Sequence, residues 1–318
     1  MRFVMMLALV GCEGGGILEP DIGNDSDVDT SDVDTGDVDT DTADVDTDTA
    51  DVDTEPDTDP PMSSVDYTLP GGIPVTEATG SLSLTDCALT YTTYTPSGGA
   101  SAPLVVLGHG FSRTGANMAD VARYISSHGL RVVTPNYCFS GFLSADHPRN
   151  GENAASLSAA LAGGADVVHM GFSAGGLSAV VAAEEDANAV GVFGLDLTDA
   201  DNVASSGAAS LNLPVYGVVG DGSACNSQNN GTAVYTAASD AVAVRIPGAT
   251  HCDFEGPTGL SCTLVCGGES DEPKVIARAM ATAFAAWVTG EDPGAVSWLE
   301  PGGADFDAYV DDGSIVPL

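Results

Sequence analysis

Six short stretches, 103–107, 131–135, 166–170, 189–195, 214–220 and 241–246, are apolar along most of their length. A strand with one wet face alternates apolar and polar residues, whereas a continuous apolar run is covered on both faces, as in a parallel sheet. Segments of helical spacing lie between and after these runs. Residues 117–127 repeat through Met118, Val121, Ala122 and Ile125 and stop at Gly129, and residues 154–161 and 176–183 also read as helices. The last, 274–288, carries Val275, Ile276, Ala279, Ala283, Phe284 and Trp287 on one face. The expected fold class is therefore α/β, a mostly parallel central sheet with helices on both faces. Functional side chains in such sheets gather at the C-terminal ends of the strands. Ahead of these runs Leu82, Leu84, Leu89, Tyr91 and Tyr94 alternate up to Pro96-Ser97-Gly98-Gly99, the pattern of an antiparallel hairpin or edge. The domain is expected over residues 62–290, with the Gly-, Pro- and acid-rich residues 291–318 as a covering tail.

The N-terminal part is of another kind. Residues 13–61 hold 19 acidic groups, no basic one and no aromatic, and repeat Asp-Val-Asp-Thr from positions 27, 32, 37, 44 and 51. Such a segment has too little apolar surface to offset the entropy of ordering it, and residues 12–61 read as an extended, self-repelling linker. The repeats lack the glycine turn and bidentate Glu of a formed calcium loop. The whole chain carries a net charge of −38, of which −20 lies beyond residue 61, which argues against nucleic acid as a partner and for neutral substrates. Leu9-Val10-Gly11-Cys12, behind the apolar run 3–10, resembles the lipobox of bacterial lipoproteins. That resemblance implies a signal peptide at 1–11, acylation of Cys12 and an exported protein anchored to a membrane. Six further cysteines, an even number, then point to three disulfides. Zinc at Cys262-x-x-x-Cys266 near His251 lacks a second ligand pair, and no metal site is expected.

The stretch Gly171-Phe172-Ser173-Ala174-Gly175 follows a buried run and precedes a helix. A serine on a tight strand-to-helix turn needs small residues two positions to either side, because neighbouring backbone passes close there. The helix N-terminus then favours negative charge developing at the serine. Ser173 is the candidate nucleophile, and it needs a basic histidine whose tautomer is fixed by an acid. Of five histidines, His128 caps a helix, His169 lies on a strand at the wrong edge, His109 shapes a turn and His147 could only line a cleft. His251, after the last strand and before the last helix, fits the order serine, acid, histidine. Asp196 and Asp221 each end a strand and compete for the acid, whereas Asp199, Asp201 and Asp253 read as solvated loop charges.

Gly108-His109-Gly110-Phe111 and Ser126-Ser127-His128-Gly129-Leu130-Arg131-Val132-Val133-Thr134-Pro135, with the Ser173 motif, resemble the chlorophyllase-like branch of the α/β-hydrolases and the similar bacterial cutinases and polyester hydrolases, over about residues 82–290. The resemblance implies the α/β-hydrolase fold, a serine carboxylic-ester hydrolase without cofactor, and a small or polymeric neutral ester as substrate. Gly194-Leu195-Asp196 matches the chlorophyllase position of the acid, although Leu197 and Thr198 depart from it, so Asp196 is preferred and Asp221 stays the alternative. The backbone N–H groups of Phe111 and Ala174 are the implied oxyanion hole, with Phe111 and Phe172 meeting the substrate. A peptidase or acyltransferase would use the same triad, and a non-catalytic surface-binding protein could share the scaffold. A Cys225–Cys252 disulfide is expected to hold His251 near the nucleophile, and the protein is expected to be a monomer.

Overall fold

A computed structural model describes residues 62–318; the expected signal peptide 1–11, the expected acylation at Cys12 and the expected linker 12–61 fall outside the described residues. Val75–Ser83 (β1) and Ala88–Pro96 (β2) pair as an antiparallel hairpin. Leu104–Gly108 (β3), Ala119–Ser127 (α1), Arg131–Asn136 (β4), His147–Leu161 (α2), Val167–Phe172 (β5), Ala174–Glu185 (α3) and Ala189–Leu195 (β6) then alternate strand and helix. Val203–Ala208 (α4), Val215–Val219 (β7), Thr232–Ala237 (α5) and Ala243–Arg245 (β8) continue the pattern. Leu260–Cys266 (α6), Asp271–Val288 (α7), Ala304–Asp311 (α8) and Val316–Pro317 (β9) complete it.

The nine strands form one sheet in the order β1-β2-β4-β3-β5-β6-β7-β8-β9, parallel from β4 through β8 and antiparallel at both ends. Successive residues of the central strands face opposite layers, so an all-apolar strand feeds two cores. Val105 and Leu107 pack with Ile125 of α1 and Phe284 of α7 on one side, while Leu104 and Val106 pack with Leu157 of α2 on the other. Leu177 and Val180 of α3 and Val234 of α5 cover that second side over β6 and β7. The fold is thus α/β with a mostly parallel sheet covered on both faces.

Two boundaries depart from the expectation. α2 begins seven residues before Ala154, because Asp146 accepts the Arg149 N–H at 3.1 Å and Pro148 sits in the first turn; the polar opening turn hides the helix start. Residues 291–318 are part of the domain and not a covering tail. Trp298, Leu299, Phe306 and Ile315 are buried in the α1–α7 core, and β9 pairs with β8. The segment near residue 62 is drawn into the same region: Tyr67 lies edge-on to Trp298 and donates its hydroxyl proton to Asp292 at 2.9 Å. Cys87–Cys138 ties the hairpin turn to the loop after β4. Among the described residues no helix is long and apolar enough to cross a membrane.

Candidate active site

Ser173 stands between β5 and α3 with φ 54° and ψ −127°, a conformation that costs a non-glycine residue of order 1–3 kcal/mol and persists only where the surroundings enforce it. Two glycines enforce it. A Cβ on Gly175 would lie 2.6 Å from the carbonyl oxygens of Gly108 and His109, and one on Gly171 would overlap the Gly175 backbone. The turn therefore brings the end of β3, the end of β5 and the first turn of α3 into direct backbone contact, and it projects Ser173 at the C-terminal edge of the sheet.

His251 opens a 3-10 turn, His251–Phe254, just beyond β8. Its Nδ1 lies 2.5 Å from Asp196 Oδ2, and its ring packs on Phe172 at a centroid distance of 4.6 Å. Asp196 follows β6, is fully buried and has φ 46°. It also accepts hydrogen bonds from the Gly220 N–H at 3.0 Å and from Asn226 Nδ2 at 3.2 Å. An ionised carboxylate only accepts hydrogen bonds, so Nδ1 of His251 donates to Asp196 and Nε2 is the ring nitrogen left for other partners. Asp221 is turned elsewhere: exposed, it binds Arg245 at 2.8 Å and accepts the Gly248 N–H at 3.0 Å. The structure thus brings Asp196, and not Asp221, to His251.

Ser173 and His251 line one cleft of about 310 Å³ with Phe111, Arg113, Cys225 and Val265. Among the described residues, the partner of the Ser173 hydroxyl is Thr198 Oγ1 at 3.4 Å; its bond to His251 Nε2 is not closed. Serine–base hydrogen bonds commonly tighten only when substrate is bound. Among the described residues, neither the Phe111 nor the Ala174 backbone N–H has an acceptor, so both donors are open at the turn. The Phe111 ring is partly exposed and lies 6.3 Å from the exposed Phe142 and 6.1 Å from His147. Phe172, expected to meet substrate, is 1% exposed and supports the imidazole from below instead.

The other histidines have separate duties. His109 is buried, its Nδ1 donating to the Gly110 carbonyl at 2.8 Å and its Nε2 accepting the Tyr137 N–H at 3.0 Å. Burial holds its pKa down at about 4, so it is a neutral brace of the turn that carries Phe111. His169 meets Asp186 at 3.0 Å inside the second layer, His128 caps α1, and His147 begins α2. Two of the aspartates read as solvated charges are buried caps. Asp199 accepts the Ala204 and Ser205 N–H groups at 2.8 and 3.0 Å, and Asp253 accepts those of Thr250 and Ser270, each at 2.7 Å. Asp201 is exposed as expected.

The expected Cys225–Cys252 disulfide is replaced by two others, Cys225–Cys266 and Cys252–Cys262. α6 lies between the two loops, and its cysteines, four residues apart, share one helix face and reach one loop each. The sulfurs of Cys252, Cys262 and Cys266 lie within 4.8 Å of one another. Asn226 and Thr198, which bond Asp196 and Ser173, lie in loops and carried no sequence signal for that placement.

No family model matches this chain, and no curated protein matches it.

Proposed function

We propose that the chain is an exported serine carboxylic-ester hydrolase of the α/β-hydrolase fold, acting on neutral esters. The observation that carries the reading is the buried Asp196–His251 pair at 2.5 Å, in one cleft with a serine on a strained strand-to-helix turn. Ser173 Oγ attacks the ester carbonyl carbon as His251 Nε2 takes its proton. Charge develops on the carbonyl oxygen, where the Phe111 and Ala174 N–H groups and the N-terminus of α3 stabilise it. Collapse expels the alcohol, protonated by His251. Water, deprotonated by the same nitrogen, then hydrolyses the acyl-serine. Asp196 keeps the imidazole in one tautomer and orientation and stabilises the imidazolium formed at each step. Three disulfides suit an oxidising compartment, and the lipobox-like Leu9–Cys12 supports a membrane tether through acylated Cys12.

Turnover of p-nitrophenyl butyrate by the full chain tests this reading. Ser173→Ala is expected to lower kcat by about 10⁴-fold or more. An alkyl fluorophosphonate is expected to phosphonylate Ser173 with loss of fluoride, adding the reagent's mass less HF to the tryptic peptide that holds it. Equal turnover by the two proteins would overturn the assignment.

A further inference from the structure

Arg113 stands apart among the seven basic residues of the domain, because it alone lines the cleft that holds Ser173 and His251. It sits two residues beyond Phe111, and its side chain is 17% exposed. Its partner is Glu255, which follows the His251 turn and has no exposed side-chain surface. The contact is a single one, Nε to Oε2 at 2.9 Å. Oε1 of Glu255 is buried and makes no closed hydrogen bond, and among the described residues neither terminal nitrogen of Arg113 makes a hydrogen bond.

That arrangement is a poor way to stabilise a fold. A buried carboxylate loses much hydration, and the loss is offset best when guanidinium and carboxylate meet fork to fork with every lone pair engaged. Here the guanidinium spends Nε on the carboxylate, and its terminal donors stay unengaged on a residue that lines the cleft. The formal charges cancel, so the cleft gains N–H donors without net positive charge, in a domain whose overall field repels anions. A neutral hydrogen-bond acceptor fits such a site; a carboxylate does not.

We propose that Arg113, positioned by Glu255, is a substrate-binding residue that takes the carbonyl oxygen of a second ester group, so that the enzyme prefers neutral diesters to simple alkyl esters. The inference rests on the ester-hydrolase reading above and adds the substrate class to it.

Initial rates of the full chain, read by pH-stat titration, test the proposal on two matched pairs. Dimethyl succinate against methyl butyrate places the second carbonyl on the acyl side, and ethylene glycol diacetate against propyl acetate places it on the alcohol side. In at least one pair, kcat/KM is expected to favour the diester by about tenfold, the order of a charge-assisted hydrogen bond. Arg113→Lys keeps Glu255 paired but spends its single nitrogen there, and Arg113→Met removes the donors altogether. Both are expected to bring that ratio to about one, mainly through KM. Glu255→Gln leaves the guanidinium charge uncompensated and is expected to raise the rate on monomethyl succinate anion relative to dimethyl succinate. A purely structural role for the pair would not produce that shift. Diester ratios near one in the wild type, or unchanged in both Arg113 variants, would overturn this subsite while leaving the hydrolase reading intact. No hydrolysis of any of the four esters would overturn both.

Discussion

Asp196 and Asp221 each follow a strand end, β6 and β7, and the surroundings of their carboxylates set them apart. Asp196 is buried under three donors, among them His251 Nδ1, whereas Asp221 is exposed and paired with Arg245. Asp196→Asn would turn an N–H group toward His251 or toward the Gly220 N–H, and the imidazole would lose its tautomer. The expected loss in kcat is about 10⁴-fold, with circular dichroism unchanged. Asp221→Asn removes an exposed ion pair of about 0–1 kcal/mol, and kcat/KM should stay within about threefold of wild type. A greater loss in Asp221→Asn than in Asp196→Asn would assign the acid to β7. At this scale the sequence spoke through residue types that are few. Five histidines could be sorted by their neighbours down to His251, but two aspartates at strand ends look alike until their donors are seen. Asn226 and Thr198 were illegible, because an amide or hydroxyl in a loop has no periodicity and its role lies in a partner distant in sequence.

Among the elements, those buried on both sides were the easiest to read. β6 falls on the expected residues 189–195, since a strand feeding two cores admits few polar side chains. α6 was missed for the opposite reason. Its residues Leu260, Leu264 and Val265 are each at least 75% exposed, so the helix is held by Cys262 and Cys266 and not by an apolar face turned inward. The two crosslinks give α6 a task beyond stability, because Cys225, Val265 and Cys266 form one wall of the cleft. Cys225→Ser with Cys266→Ser frees that wall from the loop after β7. The expected result is a rise in KM for p-nitrophenyl butyrate of about tenfold, within the reach of a displacement on the order of 1 Å. Removing Cys87–Cys138, which joins the hairpin to the loop after β4, should lower Tm and leave KM within about twofold, since neither cysteine lines the cleft. Equal KM in the two double variants, measured below their Tm, would deny α6 a part in the site.

Across the whole molecule the dominant quantity is charge. The described domain carries 27 acidic against 7 basic residues. Arg123 with Glu77, Arg149 with Asp86, Arg245 with Asp221 and Lys274 with Glu269 use most of the cations in pairs at or near the surface, and such pairs contribute little each. Most carboxylates therefore repel one another without compensation, and folding brings them closer than the extended chain does. Composition foretold the acidity, but the structure shows where it is resisted: the acid-rich residues 291–318 are held in place by Trp298, Leu299, Phe306 and Ile315, all buried. Raising NaCl from 0.01 to 0.15 M shortens the screening length from about 30 to about 8 Å. That weakens repulsion summed over many exposed carboxylates more than it weakens a few close pairs, and it affects the partly buried Arg113–Glu255 contact and the buried His251–Asp196 contact least. The Tm of the full chain should therefore rise with salt by about 3 °C or more, equivalent to about 1 kcal/mol for a domain of this size. Differential scanning calorimetry at the two concentrations distinguishes the cases. A Tm that falls with salt would mean that the surface pairs, few as they are, outweigh the repulsion of the remaining acids.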